Sequence, residues 1–575
     1  MKLIYNALSR WPDYARLEGA VAGGALPAAV TGLSGIHKCC VIASLCQKTG
    51  RRALVLAADE AEAQRFCEDL RALGLRPLPY PLRDFGFRDA AGTSHEYERL
   101  RLEVVSKLEN GTCDCVVACV DAALQYTMGP QELQRRLYPL EAGAQMEIED
   151  LLSALVQCGY TREDQIEGPG QFSRRGGIVD FYSPSASAPV RVEFWGDEID
   201  SLSYFDIGSQ RRTDPVDQVT LAPCVEAIAE KPLALAARIE KLAASLRGKN
   251  APKAKEILRS EAEKLKNGLR IGSLDKYISL LYPESATLLD YFPAEGSLLF
   301  FSEGNKLKER MRTTLWQWGE DLKSYLAEGV LCKGLDTYSG DWEYALGKAQ
   351  EVPTLFLDLF ARGSYEVPTR TLVNMNVKQL PVWGGSTQVL AEDLRPLLDL
   401  GRACVVLCGT RRAGESLTED LKRLGLPAGF LEDPSTAAAG TVTVTPGTLS
   451  AGMELPEANF ALISHGRMAE VRQKKRKRDK NSKEISSLSE LSPGDYVVHA
   501  THGIGLFEGI HKLEMNGVTK DYIKVRYAKN DTLYVPVTQL DLVSKYIGPR
   551  EDSAVKLNRL GGADWQRQKA KVRSA

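Results

Sequence analysis

The sequence predicts a multidomain chain of α/β and α+β units, with a small β-barrel near its C-terminus. Three observations carry this reading. Apolar strand-like runs alternate with helical patterns over 25–130 and again over 353–465. Residues 135–215 hold a helix and then short strands separated by Gly and Pro. A segment at 491–548 packs several alternating strands with Gly turns into a short length, the texture of a small barrel. At 575 residues there is room for roughly three to five such units.

The individual elements follow in order. Ala53-Leu54-Val55-Leu56 and Cys115-Val116-Val117-Ala118 read as buried strands, and 62–73 and 96–108 as helices. A helix is expected near 147–157. Residues 225–350 read as mostly helical, being rich in Lys, Glu and Ala. A strand at 403–407, a helix at 413–424 and a strand at 441–444 follow. The expected divisions are 1–134, 135–215, 216–350, 351–465, a basic linker at 466–489, 490–548, and a basic amphipathic helix start in 549–575. The linker carries Arg472-Gln-Lys-Lys-Arg-Lys-Arg-Asp-Lys480, which reads as a solvated tether or as a contact for a DNA backbone.

Composition narrows the function. Hydrophobic residues make up 44% of the chain and the formal net charge is -2, so any DNA binding must be local. No apolar run reaches the ~20 residues of a membrane span, and no signal peptide is read at the N-terminus. Twelve scattered cysteines, with Cys39-Cys40, Cys113-x-Cys115 and Cys404-x3-Cys408 the closest groups, form no paired zinc blocks. Free thiols in a reducing cytoplasm are expected.

Thr31-Gly-Leu-Ser-Gly-Ile-His-Lys-Cys39 falls in the register of a phosphate-binding loop, G-x-x-x-x-G-K-[ST]. Gly32 and Lys38 fit. His37 stands where the second glycine lets the backbone close round phosphates, and Cys39 where a hydroxyl ligates magnesium. Nucleotide binding is therefore not expected. Asp59-Glu60 imitates an acidic motor pair but lies too soon after Lys38, and reads as a helix cap. The outcome is a degenerate helicase-like module without motor chemistry. His499-x-x-His502 and His511 lack a Cys or carboxylate cluster, so no metal is expected. No G-x-S-x-G or H-E-x-x-H element is present.

The segment 160–212, YTREDQIEGPGQFSRRGGIVDFYSPSASAPVRVEFWGDEIDSLSYFDIGSQRR, resembles a module shared by the excision-repair protein UvrB and the transcription-repair coupling factor (Mfd) family. The resemblance implies docking onto UvrA, with Arg175, Arg191 and Trp195 at the contact positions. The family more often has Phe where Trp195 stands. On the strand 190–195, alternation turns Val190, Val192 and Phe194 one way and Arg191, Glu193 and Trp195 the other. An outward Trp near an Arg suits a binding hot spot, the alternative being a Trp packed beneath a neighbouring domain. UvrB itself fits less well. It has an intact nucleotide loop and a Tyr-rich hairpin, for which 80–99 is too short and too poor in aromatics.

Residues 491–548 carry P-G-D-x-V-V-H, H-G-I-G and L-Y-V-P-V in order. They resemble the polymerase-interacting domain of the same family, also the fold of CarD regulators, which implies an SH3/Tudor-like barrel. That resemblance implies that an exposed strand edge grips the RNA polymerase β subunit. Ile510, Lys512 and Leu513 lie on the implied edge strand, and Leu513 matches the family's contact position, although a core role would equally suit it. Residues 556–573 resemble the family's relay helix. Two motor domains, which use ATP and Mg2+, and a regulatory domain would follow there and are not in this sequence. The expectation is an adaptor, neither an enzyme nor cofactor-dependent. A full-length DNA-stimulated ATPase translocase and a CarD-like regulator are the alternatives.

Overall fold

The computed structural model describes residues 2–87, 96–248, 250–269, 271, 274–282, 284–465, 482–484, 494–499, 503–515, 518–528, 531–536, 543–546 and 557. They form two compact units, divided at residue 468.

In the first unit the chain lays down α1 (Lys2–Ser9), α2 (Pro12–Ala22), β1 (Ala28–Thr31), α3 (Gly35–Thr49), β2 (Arg52–Ala57), α4 (Glu60–Ala72), β3 (Pro77–Tyr80), α5 (Glu96–Glu109) and β4 (Cys115–Cys119). It then leaves for an insert: β5 (Tyr138–Glu141), β6 (Thr161–Arg162), β7 (Gln171–Arg175), β8 (Ile178–Phe181), β9 (Val190–Trp195), β10 (Glu198–Phe205), β11 (Arg212–Pro215) and β12 (Gln218–Leu221). It returns with β13 (Ser297–Ser302), β14 (Thr354–Leu357) and β15 (Thr371–Asn374). The first four and last three strands make one parallel sheet, ordered β15-β1-β14-β13-β2-β4-β3. Helices cover a parallel sheet on both faces, so its inner strands read as unbroken apolar runs such as Cys115-Val-Val-Ala-Cys119.

Two expectations change here. The domain placed at 351–465 starts too early, because β14 lies between β1 and β13 and β15 pairs with β1. A short apolar strand does not announce which sheet it will join. The stretch 225–350, expected to be mostly helical, also contains β13, a central strand whose six residues are all buried.

A second sheet follows, from β16 (Lys378–Leu380), β17 (Ala403–Cys408), β18 (Ala428–Phe430), β19 (Val442–Pro446), β20 (Gly452–Leu455) and β21 (Phe460–Ser464). Alternation along β17 divides its side chains. Cys404, Val406 and Cys408 face a local cluster with residues of the helices Thr387–Asp399 and Arg411–Arg423. Val405 and Leu407, with Met453, Leu455 and Phe460, join the core of the first module. Cys40 Sγ meets Met453 Sδ at 3.8 Å, and Trp11 Nε1 donates to Glu457 at 2.9 Å. Helix α3 is thereby enclosed, every residue from Ile36 to Cys46 being buried.

The insert has its own core, in which Leu151 and Leu155 of the helix Ile148–Gln157 pack on Phe172, Val179, Phe181, Val190, Val192 and Leu202. Its sheet runs β11-β10-β9-β8-β7-β6. Strands β5 and β12 pair antiparallel at its root.

The second unit contains β22 (Ser482–Glu484), β23 (Tyr496–His499), β24 (Gly503–Met515), β25 (Val518–Arg526), β26 (Thr532–Pro536) and β27 (Val543–Tyr546). They pair antiparallel in the order β22-β27-β23-β24-β25-β26. Ile523, Val525 and Tyr527 are buried with Val497, Phe507 and Val535. Lys524 and Arg526 alternate to the other face, where both meet Glu508. The tether expected over 466–489 is interrupted, since β22 pairs with β27. The basic run 472–480 and all of 549–575 except Leu557 lie outside the described residues.

Candidate functional site

The outer face of the insert's sheet is assembled by register. Ser173, Asp180, Arg191 and Ser203 stand opposite one another across β7, β8, β9 and β10. The next row holds Arg175, Ile178, Glu193 and Ser201. Arg175 closes β7 at a two-residue loop, Gly176-Gly177, and Trp195 closes β9 at another, Gly196-Asp197. Gly176 and Gly196 take φ of 61° and 63°, as a II′ loop asks of its first central residue. The two tips project from the same end of the sheet, with β7 and β9 about 10 Å apart at the usual strand spacing.

The three expected contact residues differ in situation. Trp195 is 83% exposed, so it does not pack beneath a neighbour in this unit. Arg175 is exposed and donates to the Asp164 carbonyl at 3.3 Å. Arg191 is mostly covered. Its Nε and Nη2 donate to Asp180 Oδ1 and Oδ2 at 2.7 and 2.8 Å, and its guanidinium lies 4.9 Å from the Phe205 ring centroid. Glu193 is paired with Arg212 of β11. Sequence reasoning missed Asp180 and Phe205. The outward alternation of β8 could have flagged Asp180, which precedes the buried Phe181 paired with Val190.

At the phosphate-loop positions the chemistry is turned inward. The Gly32 and Leu33 amides donate to the carbonyls of Leu359 and Asp358, so neither is free for a ligand. Gly32 has φ 86°, and a Cβ there would collide with the Met375 carbonyl. Lys38 is buried and donates to Ser302 Oγ at 3.1 Å and Glu303 Oε1 at 2.6 Å. His37 sits in the first turn of α3 with Nδ1 2.7 Å from Ser34 Oγ, and burial lowers its pKa to about 4. Burial pushes the Cys39 thiol well up, away from the thiolate that binds metal. Glu303, the counter-ion, was not singled out in the sequence, because it lies far along the chain on a left-handed residue with φ 54°. Asp59 caps α4 as expected, accepting from the Glu62 amide at 2.8 Å.

In the second unit, Ile510, Lys512 and Leu513 lie on β24 and pair with Ile523, Asp521 and Lys520 of β25. Their side chains lie outside what the structure describes. β23 pairs with β24 only over Gly503–Leu506, so among the described residues no strand flanks the other side from 508 onward. His499 is buried on β23, while His502 is outside the described residues. No group of His, Cys, Asp and Glu suited to a metal occurs among the described residues.

Comparison with known proteins bears on both regions. Residues 138–226 match the family model of the UvrB interaction domain, and 491–547 that of the CarD-like/TRCF RID domain. A transcription-repair-coupling factor of Bacillus subtilis (strain 168) is 32% identical over 589 residues, covering 100% of this chain and 50% of its own length. Along its whole length the chain is similar to transcription-repair-coupling factors. A coupling factor of Staphylococcus haemolyticus is 28% identical and one of Staphylococcus aureus (strain MRSA252) 26%, each covering 95% of this chain and 47% of its own length. The chain thus spans about half the length of the curated relatives it matches, their N-terminal half. No described helix is long and apolar enough to cross a membrane.

Proposed function

We propose that this chain is an adaptor of transcription-coupled nucleotide excision repair, one end docking UvrA and the other stalled RNA polymerase. The observation that carries it is Trp195, 83% exposed at a hairpin tip beside Arg175, on the domain that matches the UvrB interaction model. A large exposed aromatic flanked by Arg is the anchor a partner pocket takes up. Titration of labelled UvrA with the chain tests this, and equal binding by Trp195→Ala would refute it.

The polymerase side rests on the unflanked length of β24. An open edge supplies main-chain hydrogen bonds to an added strand. We assign the β subunit as the donor of that strand and Ile510, Lys512 and Leu513 as the contact region. Closure of the six strands into an SH3/Tudor-like barrel is part of the same reading. Leu513→Arg is expected to cost about 2–5 kcal/mol of β-subunit affinity, since it sets an unpaired charge in a desolvated contact. Unchanged affinity in a folded variant refutes the assignment.

The residues of this chain supply no catalysis and hold no cofactor in this reading. ATP and Mg2+ belong to the motor half of the longer relatives. The ion pair of Lys38 with Glu303 and the bonded Gly32 and Leu33 amides support this for the degenerate loop. Calorimetry with ATP and Mg2+ is expected to give no signal, and a micromolar isotherm abolished by Lys38→Ala overturns it. The basic run at 472–480 is assigned to a solvated tether, with contact to a DNA backbone as its second reading, and the site of action to the cytoplasm, with no membrane partner.

A further inference from the structure

Arg191 lies at the centre of the docking face yet offers little of itself. Its side chain is 14% exposed and two of its three nitrogens are bound to Asp180, which is 2% exposed. The third, Nη1, donates to the Gln210 carbonyl at 3.4 Å. Beneath it is Phe205, 1% exposed, on the same outer face as Ser203 and separate from the insert's main core. Gln210 has φ 57°, a strained conformation for a residue with a side chain. The turn around it is closed by Gln210 N on the Asp206 carbonyl at 2.8 Å and Asp206 N on the Arg211 carbonyl at 2.9 Å. Immediately beyond stand Arg211 and Arg212, both exposed, Arg212 also being paired with Glu193 of β9.

We propose that Arg191 is a positioning residue: clasped by Asp180 and laid over Phe205, it fixes the 206–212 loop that presents Arg211 and Arg212 to UvrA, and makes no contact of its own. The inference rests on the docking reading above. A planar guanidinium is suited to the task, because one face covers an aromatic ring while the edges bond a carboxylate and a carbonyl in fixed directions. The surface cations then bring a carboxylate-rich partner into register, as rim charges do.

The test is titration of labelled UvrA with the full chain and its variants, together with hydrogen exchange. Asp180→Asn, although buried, is expected to weaken binding roughly tenfold or more. Arg191→Lys keeps the charge but loses the fork, and is expected to weaken it by a similar factor. The double variant should be no weaker than the worse single one, since both act through one unit. Exchange at the 209–212 amides should rise in each, with the rest of the insert unchanged. Arg211→Ala with Arg212→Ala, both surface changes, should weaken binding and flatten its salt dependence without altering exchange elsewhere. Wild-type affinity in Asp180→Asn beside an impaired Arg191→Lys overturns the proposal, because Arg191 would then be touching the partner. So does wild-type affinity in the Arg211/Arg212 variant, whatever the fate of Asp180→Asn. Undiminished binding by Trp195→Ala would instead sink the docking reading itself.

Discussion

Two cations in this chain are clasped by carboxylates, and their surroundings give them opposite fates. Lys38 is held by Glu303 and Ser302 in the buried first turns of α3, with its side chain 3% exposed. Arg191 is held by Asp180 on the outer sheet face of the insert, on the strand that ends in the uncovered Trp195 and one row from the exposed Arg175. The first pair closes a site. The second leaves one standing, because Arg175 and Trp195 at the end of the same sheet remain in water. A motif residue therefore reports a capability only together with whatever balances its charge. In the loop the balance is internal, and on the sheet it is shared with a face a partner can reach.

The comparison can be broken most forcefully at its closed end. Lys38→Met strands the Glu303 carboxylate in a largely dehydrated place, and is expected to cost about 3–5 kcal/mol of stability. Lys38→Met with Glu303→Leu should recover much of that in urea titrations, since removing both charges also removes their desolvation cost. No recovery would mean that the lysine does more than balance Glu303.

The same region predicts a pH dependence. His37 stays neutral when folded, with a pKa of about 4 against 6.5 for a free histidine. Between these values the unfolded chain binds the extra proton, so stability is complete above about pH 6.5 and falls as pH drops toward 4. The expected loss is roughly 3 kcal/mol across that window. His37→Gln should flatten the slope in pH-dependent melts, and an unchanged slope would assign it to other groups.

At the open end the effect moves from stability to binding. Trp195→Asp is expected to cost about 2 kcal/mol or more of UvrA affinity while shifting the melting temperature little, for an exposed side chain carries little folding energy. A large drop in stability would show the tryptophan to be structural. The smallest effect belongs to Asp59→Ala. It removes one helix cap, costs about 1 kcal/mol, and should leave both nucleotide and UvrA titrations untouched.

Much of this was legible in the sequence. The alternation Val190, Val192, Phe194 against Arg191, Glu193, Trp195 fixed the sheet's two faces: Val190 and Val192 are buried, Phe194 is partly buried against the same core, and Trp195 is exposed. The departures at His37 and Cys39 marked positions that the fold buries in the first turns of α3. What stayed hidden was long-range. Glu303 reaches Lys38 across 265 positions, and no local pattern marks a counter-ion at that separation. The sheet membership of β14 and β15 was hidden for the same reason, since the strand both pair with, β1, lies more than three hundred residues back. Side chains at Ile510, Lys512 and Leu513 keep the standing the sequence gives them.

The insert begins at β5 and ends at β12, and these two strands are hydrogen-bonded to each other, Tyr138 opposite Leu221 and Glu141 opposite Gln218. Its two points of attachment are therefore neighbours in space. A segment that leaves and rejoins its host at one spot can be gained, lost or transplanted without stretching either partner, much as circular permutation and domain insertion succeed where ends lie close. With a core of its own, it is a self-contained cassette. Evolution could move it whole between host proteins with different engines, handing down a recognition surface independently of whatever does the work behind it.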